Sequence, residues 1–271
     1  MDTRVHKLTL ASLAVLVAGP GRDASPVSSH RPGVSVVTLN MAKETSAERV
    51  LREWQSAPTL KDADIFLLQE VKEDAGQPCI AFRLGSTLGM HVAYSPEGPG
   101  IVDRGLAILS RYPLRDVQIR PLKPFDLRFH SRKRFALTAT AYTDNGPVRL
   151  IDVHLDTRLN TADRLAQLEP VMRESPADRG RLIVAGDFNS NPFYWLDHVV
   201  PLPAVRSQAL GVHEYMTRQG FRTAIPESTT TSDFLGMHLD WIWVAGMQPA
   251  ASQVTPLDFS DHHAVWTRVE F

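Results

Sequence analysis

Residues 181–192 read RLIVAGDFNSNP, an apolar run joined directly to a polar turn. Leu182, Ile183 and Val184 are branched and contiguous, the pattern of a strand buried on both faces. Gly186 ends the run, Asp187 and Asn189 follow at once, and Pro192 closes the turn. A strand fixed by its neighbours therefore presents a carboxylate and a carboxamide at its tip, a common way to hold groups that act on a ligand. Alone, the segment reads equally well as an Asx-type turn with no chemistry.

The arrangement recurs along the chain. Val34–Leu39 (VSVVTL) ends on Asn40, and Asp64–Gln69 (DIFLLQ) ends on Glu70. Phe135–Tyr142 and Val148–Leu155 pair across the Asp144-Asn145-Gly146 turn, and the second member ends on His154 and Asp156. Gly105–Ser110 is a further buried strand, and Leu239–Val244 carries Asp240. Ser260-Asp261-His262-His263 leads into a last strand, Ala264–Val269. Helices are expected at Ala47–Trp54, at Cys79–Leu88 with Gly89 as its stop, after a cap at Asn160 or Thr161, and near Ala204–Gln219. Strands interleaved with helices and hairpins predict mixed sheets covered by helices in one α/β domain, residues 33–271.

With 271 residues, 43% of them hydrophobic, the chain has ample material for a core. A formal net charge of -1 excludes a global positive field that would gather nucleic acid or an anionic membrane. The single cysteine, Cys79, excludes an internal disulfide and a cysteine-based zinc site, and its apolar neighbours predict a buried thiol. Arg4 and Lys7 precede the apolar run Leu8–Ala18, which is too short to span a bilayer, and Gly19-Pro20-Gly21 breaks it. Residues 1–20 are therefore read as a signal peptide and 21–32 as a flexible leader, which predicts a secreted or periplasmic monomer with no transmembrane span.

Asn40, Glu70, His154, Asp187, Asn189, Asp240, Asp261 and His262 form a set suited to a hard divalent ion and a phosphate. Such ions take oxygen ligands, usually one or two protein carboxylates. A histidine beside a carboxylate serves as a general base or supports a phosphoryl oxygen. Asp240, flanked by Leu239 and Trp241, needs a partner, and a histidine is the obvious one.

In these segments the chain resembles the endonuclease/exonuclease/phosphatase superfamily, the deoxyribonuclease-I-like fold. The matching stretches are TLN (38–40), LLQE (67–70), GLAILSRYPL (105–114), DVHLD (152–156), GDFN (186–189), LDWIWV (239–244) and SDHHAV (260–265), in the family's order. The resemblance implies a four-layered α/β sandwich, two mixed β-sheets packed face to face with helices outside and the site at one end. It implies that Glu70, with Asn40 and Asp261, would hold Mg²⁺, with Mn²⁺ or Ca²⁺ as alternatives. His262 would be the general base or the imidazole that polarises the phosphate, oriented by Asp240. Asp187 would align or activate the attacking water, and Asn189 and His154 would hold phosphate oxygens. The implied substrate is a phosphoester: nucleic acid, a phospholipid head group or an inositol phosphate. A histidine at 154, where the abasic-site nucleases place tyrosine, is similar to the secreted deoxyribonucleases, sphingomyelinases and inositol-phosphate phosphatases. Met41-Ala42-Lys43 lacks the acidic residue that some nucleases carry there. The contrasting reading is a binding module that keeps the fold and uses only its surface.

Arg128, His130, Arg132, Lys133 and Arg134 form a basic cluster that either lines the cleft or is a solvated loop. Phe193-Tyr194-Trp195-Leu196 follows the Asp187 turn and is expected to pack in the core, with base stacking or lipid contact as the alternative. His263, next in sequence to His262 and opening a strand, should face the other way. His91, His198 and His238 are read as structural. His213-Glu214 lacks the second histidine of a zinc-protease helix, and neither a nucleophile elbow nor a P-loop is present.

Overall fold

In the computed structural model, residues 16–19, 33–73, 78–98, 101–128, 133–174, 180–204 and 206–271 are described. The first half runs β1 (Leu16–Ala18), β2 (Gly33–Asn40), α1 (Ala47–Ser56), α2 (Pro58–Lys61), β3 (Ile65–Gln69), α3 (Ile80–Leu88), β4 (His91–Gly98), β5 (Ile101–Ser110), β6 (Leu114–Pro121) and β7 (Phe135–Thr143). The second half runs β8 (Gly146–His154), α4 (Thr161–Glu174), β9 (Leu182–Asp187), β10 (Phe193–Leu196), β11 (Val200–Pro203), α5 (Gln208–Arg218), β12 (Asp240–Ala245), β13 (Gln248–Thr255) and β14 (Ala264–Glu270).

Two mixed sheets result, one of seven strands in the order β1-β4-β5-β3-β2-β14-β13 and one of five in the order β12-β9-β8-β7-β6. Each holds one parallel pair, β2 with β3 and β8 with β9, and antiparallel pairs elsewhere. Val36, Ile65, Leu67 and Ile108 of the first sheet meet Leu137, Leu150, Ile183 and Ile242 of the second. Helices α1 and α3 cover the outside of the first sheet, where Trp54 stacks on Phe66 at 4.3 Å. Helices α4 and α5 cover the second through Leu168, Met172, Val212 and Met216 packed on Val184, Trp241 and Trp243. This is the four-layered α/β sandwich that the sequence predicts.

Strand alternation decides which side chains enter the space between the sheets. On β2 the inward set is Val34, Val36, Thr38 and then Asn40; on β8 it is Val148, Leu150, Asp152 and then His154. On β9, Ile183 and Ala185 lead to Asp187, and on β12 Asp240 precedes Ile242 and Val244. The inner faces are apolar in the middle and turn polar at one shared end. Gly186 is required there: its φ is 142°, and a Cβ would stand 1.9 Å from the Val153 carbonyl oxygen.

Three local expectations change. Helix α5 starts at Gln208 rather than near Ala204, because Ser207 accepts the Leu210 N–H as its N-cap. Residues 193–196 are not packed in the core: they pair with Val200–Pro203 in a ribbon whose Tyr194 and Leu196 are exposed. Asn160 precedes α4 but does not cap it with its side chain; the carboxamide bonds both backbone groups of Trp195. Leu16–Ala18, inside the stretch read as a signal peptide, pairs antiparallel with β4 at the sheet edge. Residues 1–15 and the leader 21–32 lie outside the described residues, and no described helix is long and apolar enough to cross a membrane.

Candidate active site

One oxygen organises the polar end of the sandwich. Asp187 Oδ2 accepts a hydrogen bond from Asn40 Nδ2 at 3.1 Å and lies 3.4 Å from His154 Nε2 and 3.9 Å from His262 Nε2. The other carboxylate oxygen accepts the Asn189 backbone N–H at 2.8 Å. All four partners are buried and come from β2, β8, the turn after β9 and the entry to β14.

His262 is held from behind. Its Nδ1 contacts Asp240 Oδ2 at 2.9 Å, which leaves Nε2 facing Asp187. The His262 backbone N–H donates to Ser260 Oγ, whose hydroxyl in turn donates to the Asn40 carbonyl at 2.7 Å. Asp240 is itself fixed by Thr231, whose hydroxyl donates to Oδ2 at 2.8 Å and accepts the backbone N–H groups of Leu239 and Asp240. Neither Thr231 nor this use of Ser260 follows from sequence spacing. Thr231 lies in a run of three threonines with no periodic signal, although Ser260 adjoins Asp261 and His262.

Electrostatics follow from burial and these partners. Burial pushes the Asp187 carboxyl up to about 6, with His262 opposing and Asp240 adding to the rise. Burial alone would lower His262, but the carboxylates of Asp240 and Asp187 outweigh it and push the imidazole up to about 10. The ring is thus an imidazolium at neutral pH. Asp187, Asp240 and His262 also present atoms all within 4.8 Å of one another, a group that could hold a metal ion only with the His262 ring deprotonated.

The remaining predicted residues sit around this cluster. Glu70 follows β3 at φ 50°, half-buried, with no hydrogen bond or ion pair among the described residues. Register places Gln69 beside Asn40, so Glu70 opens next to it. Asp261 is exposed, and its carbonyl accepts the Asp233 N–H. Asn189 has φ 51° and gives an amide N–H to the Leu155 carbonyl. Ala42, Lys43, Glu70 and Asn189 all occupy the left-handed region, so backbone strain gathers at this end.

Beneath the cluster Gln69 donates to Asp152 Oδ1 at 2.6 Å and to Thr38 Oγ1 at 3.1 Å. Asp152 Oδ2 is buried without a partner among the described residues, and burial holds this carboxyl well above the usual range. The basic cluster is divided. Arg134 is buried against Asp156 at 2.9 Å and borders a small pocket with Arg104 and His154, whereas Arg128 pairs with Asp197 in solvent. His130 and Arg132 lie outside the described residues. His263 turns away to Asp233 at 2.9 Å, His198 contacts the Arg158 carbonyl, and His238 stacks on Trp241.

The model of the Endonuclease/Exonuclease/phosphatase family matches residues 37–262. No curated protein sequence matches the chain. Among solved structures, an endonuclease/exonuclease/phosphatase from Beutenbergia cavernae DSM 12333 has a TM-score of 0.67 at 18% identity, covering 89% of this chain and 72% of that one. A 3′ phosphatase from Neisseria bound to product DNA hairpin has a TM-score of 0.61 at 19% identity, covering 88% and 100%. Sphingomyelinase C from Streptomyces griseocarneus has a TM-score of 0.60 at 13% identity, covering 88% and 99%. At these identities the likeness is one of fold.

Proposed function

Because the chain belongs to the endonuclease/exonuclease/phosphatase family, we propose that its polar end hydrolyses phosphodiester bonds with the help of a divalent cation. The observation that carries this reading is the convergence of Asn40, His154 and His262 on one Asp187 oxygen, with Asp240 behind His262.

The donors at the mouth fit a hard cation. Glu70 offers a half-exposed carboxylate without a partner among the described residues, and the Asn40 amide oxygen and Asp261 would complete an all-oxygen set suited to Mg²⁺. When bound, the ion would polarise the phosphoryl group and neutralise developing charge. Asp187, largely ionised at neutral pH, takes the proton of the attacking water. His262, charged because Asp240 and Asp187 face it, donates from Nε2 to a phosphoryl oxygen rather than acting as the base. His154 and the second amide hydrogen of Asn189 hold the remaining oxygens. The same set serves a nucleic acid, a phospholipid head group or an inositol phosphate, and the export proposed from residues 1–20 would suit any of them.

The test is a hydrolysis panel with Mg²⁺: bis-p-nitrophenyl phosphate, double-stranded DNA, RNA, sphingomyelin and an inositol polyphosphate, with His262→Ala alongside. Turnover lost in that variant by at least about 10²-fold, and lost with chelator, is the expected result. A folded wild type silent on every substrate would return weight to the binding-module reading.

A further inference from the structure

Large apolar side chains exposed on this protein are not scattered. Among the described residues seven are exposed, and six of them, Tyr194, Leu196, Val200, Leu202, Phe234 and Leu235, lie on two loops that leave the polar end of the sandwich. The first loop is the β10–β11 ribbon, which begins six residues beyond Asp187. Its cross-strand partners are Tyr194 with Leu202 and Leu196 with Val200, so these four side chains share one face, and all four are exposed. On the opposite face Phe193 and Trp195 are half-buried, and their partners Pro203 and Pro201 are exposed. A ribbon over water would normally carry polar residues on its exposed face, and this one carries none on either face. The second loop carries Phe234 and Leu235, 59% and 67% exposed, between Thr231 and Asp240. Ser190 Oγ donates to the His238 carbonyl at 2.6 Å and ties the roots of the two loops together.

The chemistry of this rim selects among partners. Four of the six side chains are aliphatic, and an aliphatic group offers a nucleobase no face to stack on. Pro201 and Pro203 remove two backbone donors from β11, which makes its edge a poor template for a strand from another chain. Cations stand at the foot of the ribbon. Lys123 lies over Phe125, which packs near His198 in the ribbon turn; Arg128 pairs with Asp197 of that turn, and the Arg158 guanidinium donates to the Leu127 carbonyl beside Arg128. Among the described residues of this fringe, Lys123, Arg128 and Arg158 outnumber the carboxylates Asp126 and Asp197. Exposed apolar groups with an aromatic and a cationic fringe match the boundary between phospholipid acyl chains and head groups.

We propose that this rim docks on a phospholipid bilayer, the ribbon face and the Phe234–Leu235 tip entering the head-group boundary and Lys123, Arg128 and Arg158 lying over head-group phosphates. The inference rests on the phosphodiesterase reading for its substrate class, a phospholipid presented at a surface, but docking is measured without turnover.

The experiment is flotation of the purified full chain with vesicles of phosphatidylcholine alone and of phosphatidylcholine mixed with phosphatidylserine. Wild type is expected to float with the mixed vesicles. Leu196→Ser with Leu202→Ser, and separately Phe234→Ser, should lower the bound fraction at least about tenfold, because each removes apolar area from the boundary. Hydrolysis of soluble bis-p-nitrophenyl phosphate should stay within about twofold of wild type, since none of these residues touches the Asp187 cluster. Wild type that floats with neither vesicle overturns the proposal, whatever its diesterase activity. Variants that float like wild type and are released equally by salt also overturn it, because charge alone would then explain binding. A wild-type dimer that the substitutions dissociate, or oligonucleotide binding that they abolish, with no vesicle binding in either case, assigns the rim to a second copy or to nucleic acid instead.

Discussion

The Thr231 hydroxyl donates to Asp240 Oδ2 at 2.8 Å while its oxygen accepts the Asp240 backbone N–H at 3.0 Å. One side chain thus fixes both ends of the residue that orients His262. Thr231→Val keeps the shape and removes both bonds together with the one from the Leu239 N–H. A hydrogen bond to a charged group is worth about 1.5–3 kcal/mol, so kcat should fall about tenfold or more with KM little changed. Thr231→Ser should restore most of the rate. Steady-state kinetics on a soluble diester checks this, and an unaltered kcat in the valine variant would remove Thr231 from the assembly.

Glu70 tests the cation. It is half-buried, stands at φ 50° and has no partner among the described residues, so a charge-neutral replacement disturbs little else. Glu70→Gln should raise the Mg²⁺ concentration for half-maximal turnover at least about tenfold, because one carboxylate of the hard-ion set is lost. Titration calorimetry with Mg²⁺ alone should show the same weakening without any substrate.

Asp152 gives a stability signature. Burial holds its carboxyl well above the ordinary 3.8, so the folded state keeps a proton that the unfolded chain releases. The stabilisation from that proton is complete below about pH 3.8 and is lost as pH rises through the folded value. Asp152→Asn is neutral at every pH and lacks this loss. Its melting temperature relative to wild type should therefore climb between pH 4 and pH 8, as calorimetric scans would record. A difference that is flat with pH would mean that Asp152 is not protonated in the fold.

Asn160 anchors the ribbon. Its carboxamide accepts from Trp195 N at 2.7 Å and donates to Trp195 O at 3.0 Å, imitating a strand neighbour. Asn160→Ala removes both bonds and should free residues 196–199 for proteolysis, at a stability cost of about 1–3 kcal/mol. Limited proteolysis with mass mapping distinguishes this from general loosening, which would cut elsewhere.

Gly186→Ala should be among the costliest single changes. The added carbon would meet the Val153 carbonyl oxygen at 1.9 Å in a backbone conformation that side chains rarely adopt. The expected cost exceeds about 3 kcal/mol. Urea unfolding would measure it, and near-native stability would mean that β8 and β9 separate easily.

What could be read from sequence and what could not divide along physical lines. Strands such as Leu182–Asp187 and Asp240–Ala245 announce themselves because apolar runs end abruptly on polar residues, and that boundary is local. Gly89, as a left-handed cap after α3, was legible for the same reason. The ribbon was not. Phe193–Leu196 has core composition, and only pairing with Val200–Pro203 and the carboxamide of Asn160, 35 residues away, turns half of it outward. Thr231 was invisible because its role depends on where Asp240 is brought to lie, and one threonine among three carries no mark of it. Residue types in the cluster were legible, while the tie between Asn40 and Asp187, 147 residues apart, needed the fold.

The alternation that sends Asn40, His154 and Asp187 inward makes the protein sensitive to reading frame in a geometric sense. A residue inserted or deleted within β2 or β8 would rotate every later side chain of that strand by half a turn, carrying Asn40 or His154 into the helix layer. Two residues added would restore the facing and only lengthen the reach. Length variation among descendants of this chain is therefore expected to fall in the loops, where Tyr194 and Phe234 sit, leaving new substrates to be acquired at the rim while the chemistry beneath stays in phase.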